Sequence, residues 1–160
     1  MSEPFYITTP IYYVNDRPHI GHAYTSIAAD VLARYNRLAG KKVYFLTGTD
    51  EHGQKIEKTA LSKGLSPQNF VDQVAPYFKE LTPSLGLSND DFIRTTETRH
   101  SKAVLAFWKK LEDAGYIYRG IYAGWYAVRD EAYYTESELV DGKAPTGAPV
   151  EWVEEPSYFF

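Results

Sequence analysis

Residues 5–40 read FYITTPIYYVNDRPHIGHAYTSIAADVLARYNRLAG, and this stretch decides the fold class. Phe5–Thr9 is a short β-prone run that Pro10 ends, and a polar loop follows it. After Gly21, apolar side chains repeat at intervals of three and four residues until Gly40 supplies a helix stop signal. These apolar residues are Ile27, Val31, Leu32, Tyr35 and Leu38. The stretch therefore predicts a strand, a loop and a long amphipathic helix.

The sequence up to residue 115 continues this alternation. Further strands are predicted over Val43–Leu46, which runs on toward Asp50, and over Phe92–Thr95. Further helices are predicted around Gln54–Lys63, from the Ser66-Pro67 start signal, and over Glu97–Ala114. Strands that alternate with helices in this way indicate an α/β fold with a parallel sheet.

The character of the sequence changes near Gly115. Tyr116–Tyr134 is rich in Tyr and Gly with short β-like runs, and residues 142–149, GKAPTGAP, are typical of a loop. We therefore expect an α/β domain over residues 1–115 and a small β-rich element over residues 116–160. The last residues, SYFF, carry no stop signal, so we expect the chain to be truncated after Phe160.

Composition excludes several classes of protein. The chain is 44% hydrophobic and 24% charged, as expected of a soluble globular protein with a core, and its formal net charge is −4. A protein that binds nucleic acid mainly through this segment would be more basic. The chain has no cysteine, which excludes disulfides and thiolate metal sites. There is no signal peptide and no apolar run near the ~18 residues of a membrane span, so we expect a cytoplasmic protein without membrane contact.

The chemistry is concentrated in His19-Ile20-Gly21-His22, between the first strand's loop and the first long helix. A helix N-terminus offers free N–H groups and partial positive charge, which favour phosphate. Two imidazoles three residues apart can both donate hydrogen bonds to phosphate oxygens, and Gly21 lets a nucleotide lie close to the backbone. The structural alternative is that one histidine caps the helix and the other packs in the core.

Several stretches place this motif in a family. Residues 10–15, PIYYVN, followed by Pro18 and the motif His19–His22, resemble the HIGH signature of class I aminoacyl-tRNA synthetases. Other stretches are similar to the methionyl members of that class, in the same order: FLTGTDEHG at 45–53, FIRTTE at 92–97, GWY at 124–126, EAYY at 131–134 and EEPSYFF at 154–160. The resemblance implies the first half of a Rossmann-like, parallel-sheet nucleotide-binding fold, followed by part of a small β-rich insertion.

The resemblance also implies an activity and a set of site residues. The activity is that of a methionine–tRNA ligase, with methionine, ATP accompanied by Mg²⁺, and tRNA as partners, the tRNA contacts lying mostly outside this segment. The resemblance makes His19 and His22 catalytic and adds Gly21, Tyr13 and Asn15 to them for ATP binding. It assigns the methionine pocket to Pro10, Ile11, Tyr13 and Asp50, with the Asp50 carboxylate on the substrate's ammonium group. Read without the family, Asp50 could instead cap the next helix.

The sequence departs from the family at two points. Many relatives carry zinc-binding cysteines in the insertion, whereas this chain has Ala127 and Asp130 at corresponding positions, so no zinc is expected. A loop resembling Lys-Met-Ser-Lys-Ser, which holds the pyrophosphate end of ATP in the family, is not present in this sequence. We therefore expect the 160-residue chain alone to be inactive or nearly so.

Three alternatives remain open at this stage. A leucyl, isoleucyl or valyl synthetase also carries a HIGH motif. A small nucleotidyltransferase shares the His-x-Gly-His idea on a chain of about this length. A catalytically inactive module that binds a nucleotide or an amino acid could retain both histidines.

Overall fold

A computed structural model describes residues 3–160 of the chain. The packing of the chain forms two compact units, the first ending at Ala103 and the second running over Val104–Phe160. None of the helices within residues 3–160 has both the length and the apolar character needed to cross a membrane.

The first unit contains a four-stranded sheet in which every pairing is parallel. β1 (Pro4–Thr8) pairs with the first part of β3 (Lys42–Asp50), and the two-residue β2 (Tyr12–Tyr13) pairs with its last two residues. β4 (Asp91–Arg94) pairs with residues 46–49 of β3 on the opposite edge. The parallel sheet and its helices confirm the predicted α/β fold class. β2 was not predicted, because two residues are too few for a periodicity.

Four helices accompany the strands: α1 (Ile20–Leu38), α2 (Gln54–Ser62), α3 (Pro67–Ser84) and α4 (Thr98–Asp113). Their ends follow the local signals in the sequence. Gly40 and Gly64 follow α1 and α2 with φ of +79° and +69°, a backbone conformation that residues other than glycine rarely adopt. The Ser66 side chain accepts a hydrogen bond from the Asn69 N–H at 3.2 Å and so caps α3.

Two apolar clusters hold the first unit together. Ala29 and Ala33 of α1 pack on Phe45 of β3, with Ile7 and Val43 at the margin. The second cluster joins the segment around β2 to α2 and α3, and it consists of Tyr12, Val14, Ile56, Ala60, Phe70, Val71, Val74, Ala75 and Phe78. This second cluster fixes the loop that leads from β1 to the N-terminus of α1.

The second unit is built on an antiparallel sheet in the order β6-β5-β7. Its strands are β5 (Tyr118–Ala127), β6 (Ala132–Tyr134) and β7 (Glu151–Phe159), and a short 3₁₀ helix covers Glu136–Glu138. β7 was not predicted, since it contains Pro156. A proline is tolerated there because β7 lies at the edge of the sheet.

The two units meet within α4 in the sequence. Residues from Val104 onward belong to the second unit, where the Trp108 ring lies edge-on to Tyr158 with centroids 5.2 Å apart. The amino-acid composition changes near residue 115, after this helix, whereas the compact units divide after Ala103. The division into domains over residues 1–115 and 116–160 stays a prediction from the sequence.

Candidate functional site

The two motif histidines are bonded to the first turn of α1 and to each other. His19 is the N-cap residue, and its Nδ1 accepts a hydrogen bond from the Gly21 N–H at 3.1 Å. The His22 Nδ1 accepts one from the His19 N–H at 3.0 Å, which completes a reciprocal capping box. The two rings lie 3.9 Å apart between centroids.

These bonds determine which ring nitrogen carries the proton. An Nδ1 that accepts a hydrogen bond is unprotonated, so each neutral ring has its N–H on Nε2. Burial, and then the neighbouring His19, lower the pKa of His22 below its ordinary value, which keeps that ring neutral near pH 7. Within residues 3–160, no hydrogen bond uses the Nε2 atom of either histidine. The N-terminus of α1 therefore offers two N–H donors.

Packing gives His22 and Gly21 a structural role as well. The His22 ring stands edge-on to Tyr12 and Phe78, with centroids 4.8 and 5.1 Å away. A Cβ at Gly21 would lie 2.9 Å from Cε1 of His19, so the glycine makes room for that ring. Capping and packing are what the structural alternative predicted for the histidines, and both leave the Nε2 donors unused.

The predicted methionine-pocket residues lie at the carboxyl ends of the strands, where parallel sheets place their ligands. Pro10 and Ile11 follow β1, and Tyr13 of β2 is paired in register with Asp50 of β3. The Tyr13 hydroxyl lies over Gly53, only 2.0 Å from where a Cβ would be. The topology thus brings Tyr13 and Asp50 together.

Asp50 does not cap the helix that follows it. The N-cap of α2 is Gly53, without a side-chain hydrogen bond, and the Asp50 carboxylate instead accepts a long hydrogen bond of 3.4 Å from the His52 N–H. The helix-capping alternative for Asp50 is therefore wrong. Its carboxylate is half-buried and retains capacity to accept hydrogen bonds.

A buried carboxylate, that of Glu51, lies next to Asp50 without any signal in the sequence that predicts its burial. The Glu51 side chain is fully buried and accepts two hydrogen bonds from Arg94, at 2.7 and 2.9 Å. Thr49 and Thr96 donate two more, at 2.7 and 2.5 Å. Arg94 also pairs with Asp72 of α3 at 2.5 Å, and its bonds to the two carboxylates raise the pKa of the guanidinium, which stays charged. The partners lie in separate elements, and no local motif links them.

Asn15 lies on an exposed loop and lines a cavity of about 220 Å³. The other residues around this cavity include Arg17, whose guanidinium lies 4.7 Å from the centre of the Tyr77 ring. A larger cavity of about 540 Å³ lies between α3 and the end of β4, and its lining includes none of the predicted site residues. Neither cavity is lined by the histidines or by Asp50.

In the second unit, Ala127 and Asp130, the positions at which the resemblance would place zinc ligands, make other contacts. Ala127 is fully buried with Ala144 and Ala148. The Asp130 carboxylate accepts hydrogen bonds from the hydroxyls of Thr146 and Tyr134 and pairs with Arg129, and the Thr146 bond in particular lowers the pKa of Asp130. In the part of the chain described, residues 3–160, no three His, Cys, Asp or Glu side chains are grouped as a metal site requires.

Comparison with known proteins gives a consistent set of relatives. A methionine–tRNA ligase of Rickettsia conorii is 67% identical over 161 residues, which covers 100% of this chain and 32% of that protein. One of Rhizobium meliloti is 56% identical over 164 residues, covering 99% of this chain and 32% of that protein. The chain thus spans about a third of the length of the curated relatives it matches.

A solved structure agrees with these sequence relatives. The methionyl-tRNA synthetase of Mycobacterium tuberculosis in complex with methionyl-adenylate superposes with a TM-score of 0.88 at 45% identity, over 99% of this chain and 32% of that one. The family described as tRNA synthetases class I (M) matches residues 5–151, nearly the whole chain. The resemblance noted in the sequence is confirmed, and this chain belongs to the class I tRNA synthetases (M).

Proposed function

We propose that the complete protein carrying this chain is a methionine–tRNA ligase. In the first step, a carboxylate oxygen of methionine attacks the α-phosphorus of ATP, which forms methionyl-adenylate and releases pyrophosphate. In the second step, a hydroxyl of the terminal ribose of tRNA attacks the adenylate carbonyl, which forms the aminoacyl ester and releases AMP. The observation that carries this proposal is the TM-score of 0.88 to a relative whose structure holds methionyl-adenylate.

The phosphate-handling part of the site is assigned to the N-terminus of α1. Nε2–H groups of His19 and His22 donate to oxygens of the reacting phosphate, where negative charge grows in the transition state. Donors placed in advance need no reorganisation when the charge develops, which makes them effective in phosphoryl chemistry. Gly21, Tyr13 and Asn15 complete the contacts to ATP. Mg²⁺ enters with ATP, held mainly by phosphate oxygens and water.

The amino-acid part of the site is assigned to the ends of β1, β2 and β3. The Asp50 carboxylate pairs with the ammonium group of methionine, and Pro10, Ile11 and Tyr13 surround the thioether side chain. An apolar pocket discriminates one methylene by only about 1–3 kcal/mol, so analogues close to methionine in size should compete. The protein acts in the cytoplasm, where it also binds tRNA through surfaces mostly outside residues 1–160.

The experiment that tests this proposal is amino-acid-dependent exchange of pyrophosphate into ATP by the complete protein. Methionine should support exchange far better than leucine, isoleucine or valine. Preference for one of those three would favour the alternative synthetases that share the HIGH motif. Their case is weakened by the methionine–tRNA ligases that match the whole chain at 56–67% identity.

A second candidate function is an inactive module that binds a nucleotide or an amino acid. The observation in its favour is that His19 and His22 both cap α1 and that His22 also packs against Phe78, so both residues have structural roles without any catalysis. Binding of ATP and methionine by the complete protein without any exchange of pyrophosphate would support this module over the ligase.

A further inference from the structure

The residues before and after Asp50 are both hydrogen-bonded to Thr95, which directly follows β4. The Thr49 carbonyl accepts a hydrogen bond from the Thr95 N–H at 3.2 Å, and the Glu51 N–H donates to the Thr95 hydroxyl oxygen at 2.8 Å. The same hydroxyl lies 3.1 Å from Nδ1 of His52. The Asp50 side chain makes no hydrogen bond to Thr95. Among the hydrogen bonds of residues 3–160, its carboxylate accepts only one, from the His52 N–H.

The strongest link in this segment is the Glu51 side chain. Its carboxylate has no exposed surface and accepts hydrogen bonds from Thr49, from Thr96 and from Nε and Nη2 of the Arg94 guanidinium. A two-point Arg–carboxylate contact restricts angle as well as distance, because both groups are planar. Successive side chains of a strand point to opposite faces, so Thr49 and Glu51 lie on one face and Asp50 between them points to the other. The hydrogen bonds that fix Thr49 and Glu51 therefore also set the direction of the Asp50 side chain.

We propose that the ion pair between the buried Glu51 and the partly exposed Arg94 is a positioning device that aims the Asp50 carboxylate at the ammonium group of the amino-acid substrate. This inference rests on the proposed function, in which Asp50 binds that group. Glu51 and Arg94 are positioning residues, since they act through Asp50 and need not touch the substrate.

Stability alone is a poor reason for such a pair. Taking two charges out of water costs about as much as their attraction returns, and apolar residues of the same volume often serve stability as well or better. What the pair supplies is a fixed geometry. The Asp50 carboxylate accepts only a long hydrogen bond of 3.4 Å among those of residues 3–160, so its position depends on the backbone that Glu51 holds.

The test compares Glu51→Gln with Asp72→Asn in the complete protein. Glu51→Gln keeps the volume of the side chain but breaks the two-point contact, whereas Asp72→Asn weakens only the exposed outer partner of the same Arg94. Glu51→Gln should raise the KM for methionine about tenfold or more while the KM for ATP and kcat stay within about threefold, as for a contact present in the ground state. Asp72→Asn should leave all three within about threefold of wild type, since exposed pairs contribute little.

A double-mutant cycle with Asp50→Ala separates positioning from a merely structural role. If Glu51 acts through Asp50, Glu51→Gln should add less than about threefold to the methionine KM in the Asp50→Ala background, because coupled residues are not additive. An equal effect in both backgrounds would overturn the proposal, as would an unchanged methionine KM in Glu51→Gln with a lowered melting temperature. If Glu51→Gln fails to fold, Thr96→Val replaces it in the cycle and should raise the methionine KM measurably in the wild-type background only; no change there would equally overturn the proposal.

The cycle also distinguishes failure of this inference from failure of the proposed site. An Asp50→Ala variant with unchanged methionine KM refutes the assignment of Asp50 and with it the positioning role. A raised KM in Asp50→Ala beside a normal KM in Glu51→Gln refutes the positioning role alone.

Discussion

The backbone N–H of His19 donates to Nδ1 of His22 across 3.0 Å, so the two motif histidines form one hydrogen-bonded unit. This bond occupies the ring nitrogen that faces the helix and leaves the N–H on Nε2. The capping role of His22 and its proposed catalytic role therefore use different nitrogen atoms of one ring. Substitutions that imitate one ring nitrogen at a time can separate them.

His22→Asn and His22→Gln should have opposite effects in the complete protein. The Asn amide reaches the position of Nδ1 and keeps the bond to the His19 N–H, but it provides no donor at Nε2. Its adenylation kcat should fall about 10²–10³-fold, as for removal of one transition-state donor. Its melting temperature should fall less than that of His22→Gln, because both variants lose the ring contacts with Tyr12 and Phe78 but only Asn keeps the capping bond. The Gln amide reaches Nε2 and should keep more activity at a lower melting temperature. Pyrophosphate exchange and thermal unfolding measure the two effects, and equal activity in both variants would contradict the assignment.

A pH-dependent contribution to stability is expected from Asp30 in α1. Burial by itself raises the pKa of Asp30, but hydrogen bonds from Ser88 and Arg34 outweigh it and leave the pKa below its ordinary value. A carboxyl with a lowered folded-state pKa stabilises the fold above its unfolded-state pKa of about 3.9, and this stabilisation is lost as the pH falls through the folded-state value.

Asp30→Asn should therefore lower the stability at pH 7 by about 1–3 kcal/mol, the cost of disrupting a buried hydrogen-bonded group. The difference from wild type should shrink as the pH falls below about 4. Ser88→Ala is the matched control, because it removes the hydroxyl that donates to Asp30 and accepts from Arg37 but leaves the Ser88 N–H bond to Asp30 at 2.7 Å. Thermal unfolding from pH 7 to pH 3 measures both, and a difference that grows on acidification would have the wrong sign.

Local signals in the sequence were enough for the main elements of the first unit but not for every contact of the site. Gly40 and Gly64 end their helices with positive φ, as their places after apolar periodic runs indicate. The Glu51–Arg94 pair spans 43 residues, and neither residue lies in a pattern that names its partner. β2 exists only through its pairing with the end of β3. An ion pair or a short strand that forms only when two distant segments meet cannot be predicted from the sequence of either segment alone.

The protein should contain no stoichiometric zinc. Ala127 supplies no ligand and is packed among alanines, and the Asp130 carboxylate is engaged by Thr146, Tyr134 and Arg129. These contacts stabilise the segment that a bound metal would otherwise stabilise, so a chelator should leave the melting temperature unchanged. Asp130→Ala should lower it, with or without chelator. Elemental analysis of untagged protein checks the metal content, and one zinc per chain would overturn the expectation.

Asp50→Ala in the complete protein should impair methionine binding selectively. Removing one partner of a charge pair in a closed pocket costs about 2–5 kcal/mol, and about 1.4 kcal/mol corresponds to a factor of ten. The methionine KM should therefore rise by about 30-fold or more, whereas the KM for ATP should hardly change. A methionine analogue that lacks the amino group should bind equally weakly to the variant and to wild type, because it makes no contact that the variant has lost. Asp16→Ala is the control, since that exposed carboxylate accepts a hydrogen bond from the next residue's N–H at 2.7 Å and should affect neither KM. An unchanged methionine KM with a lowered melting temperature would make Asp50 a structural residue, and the amino-acid pocket would then have to lie elsewhere.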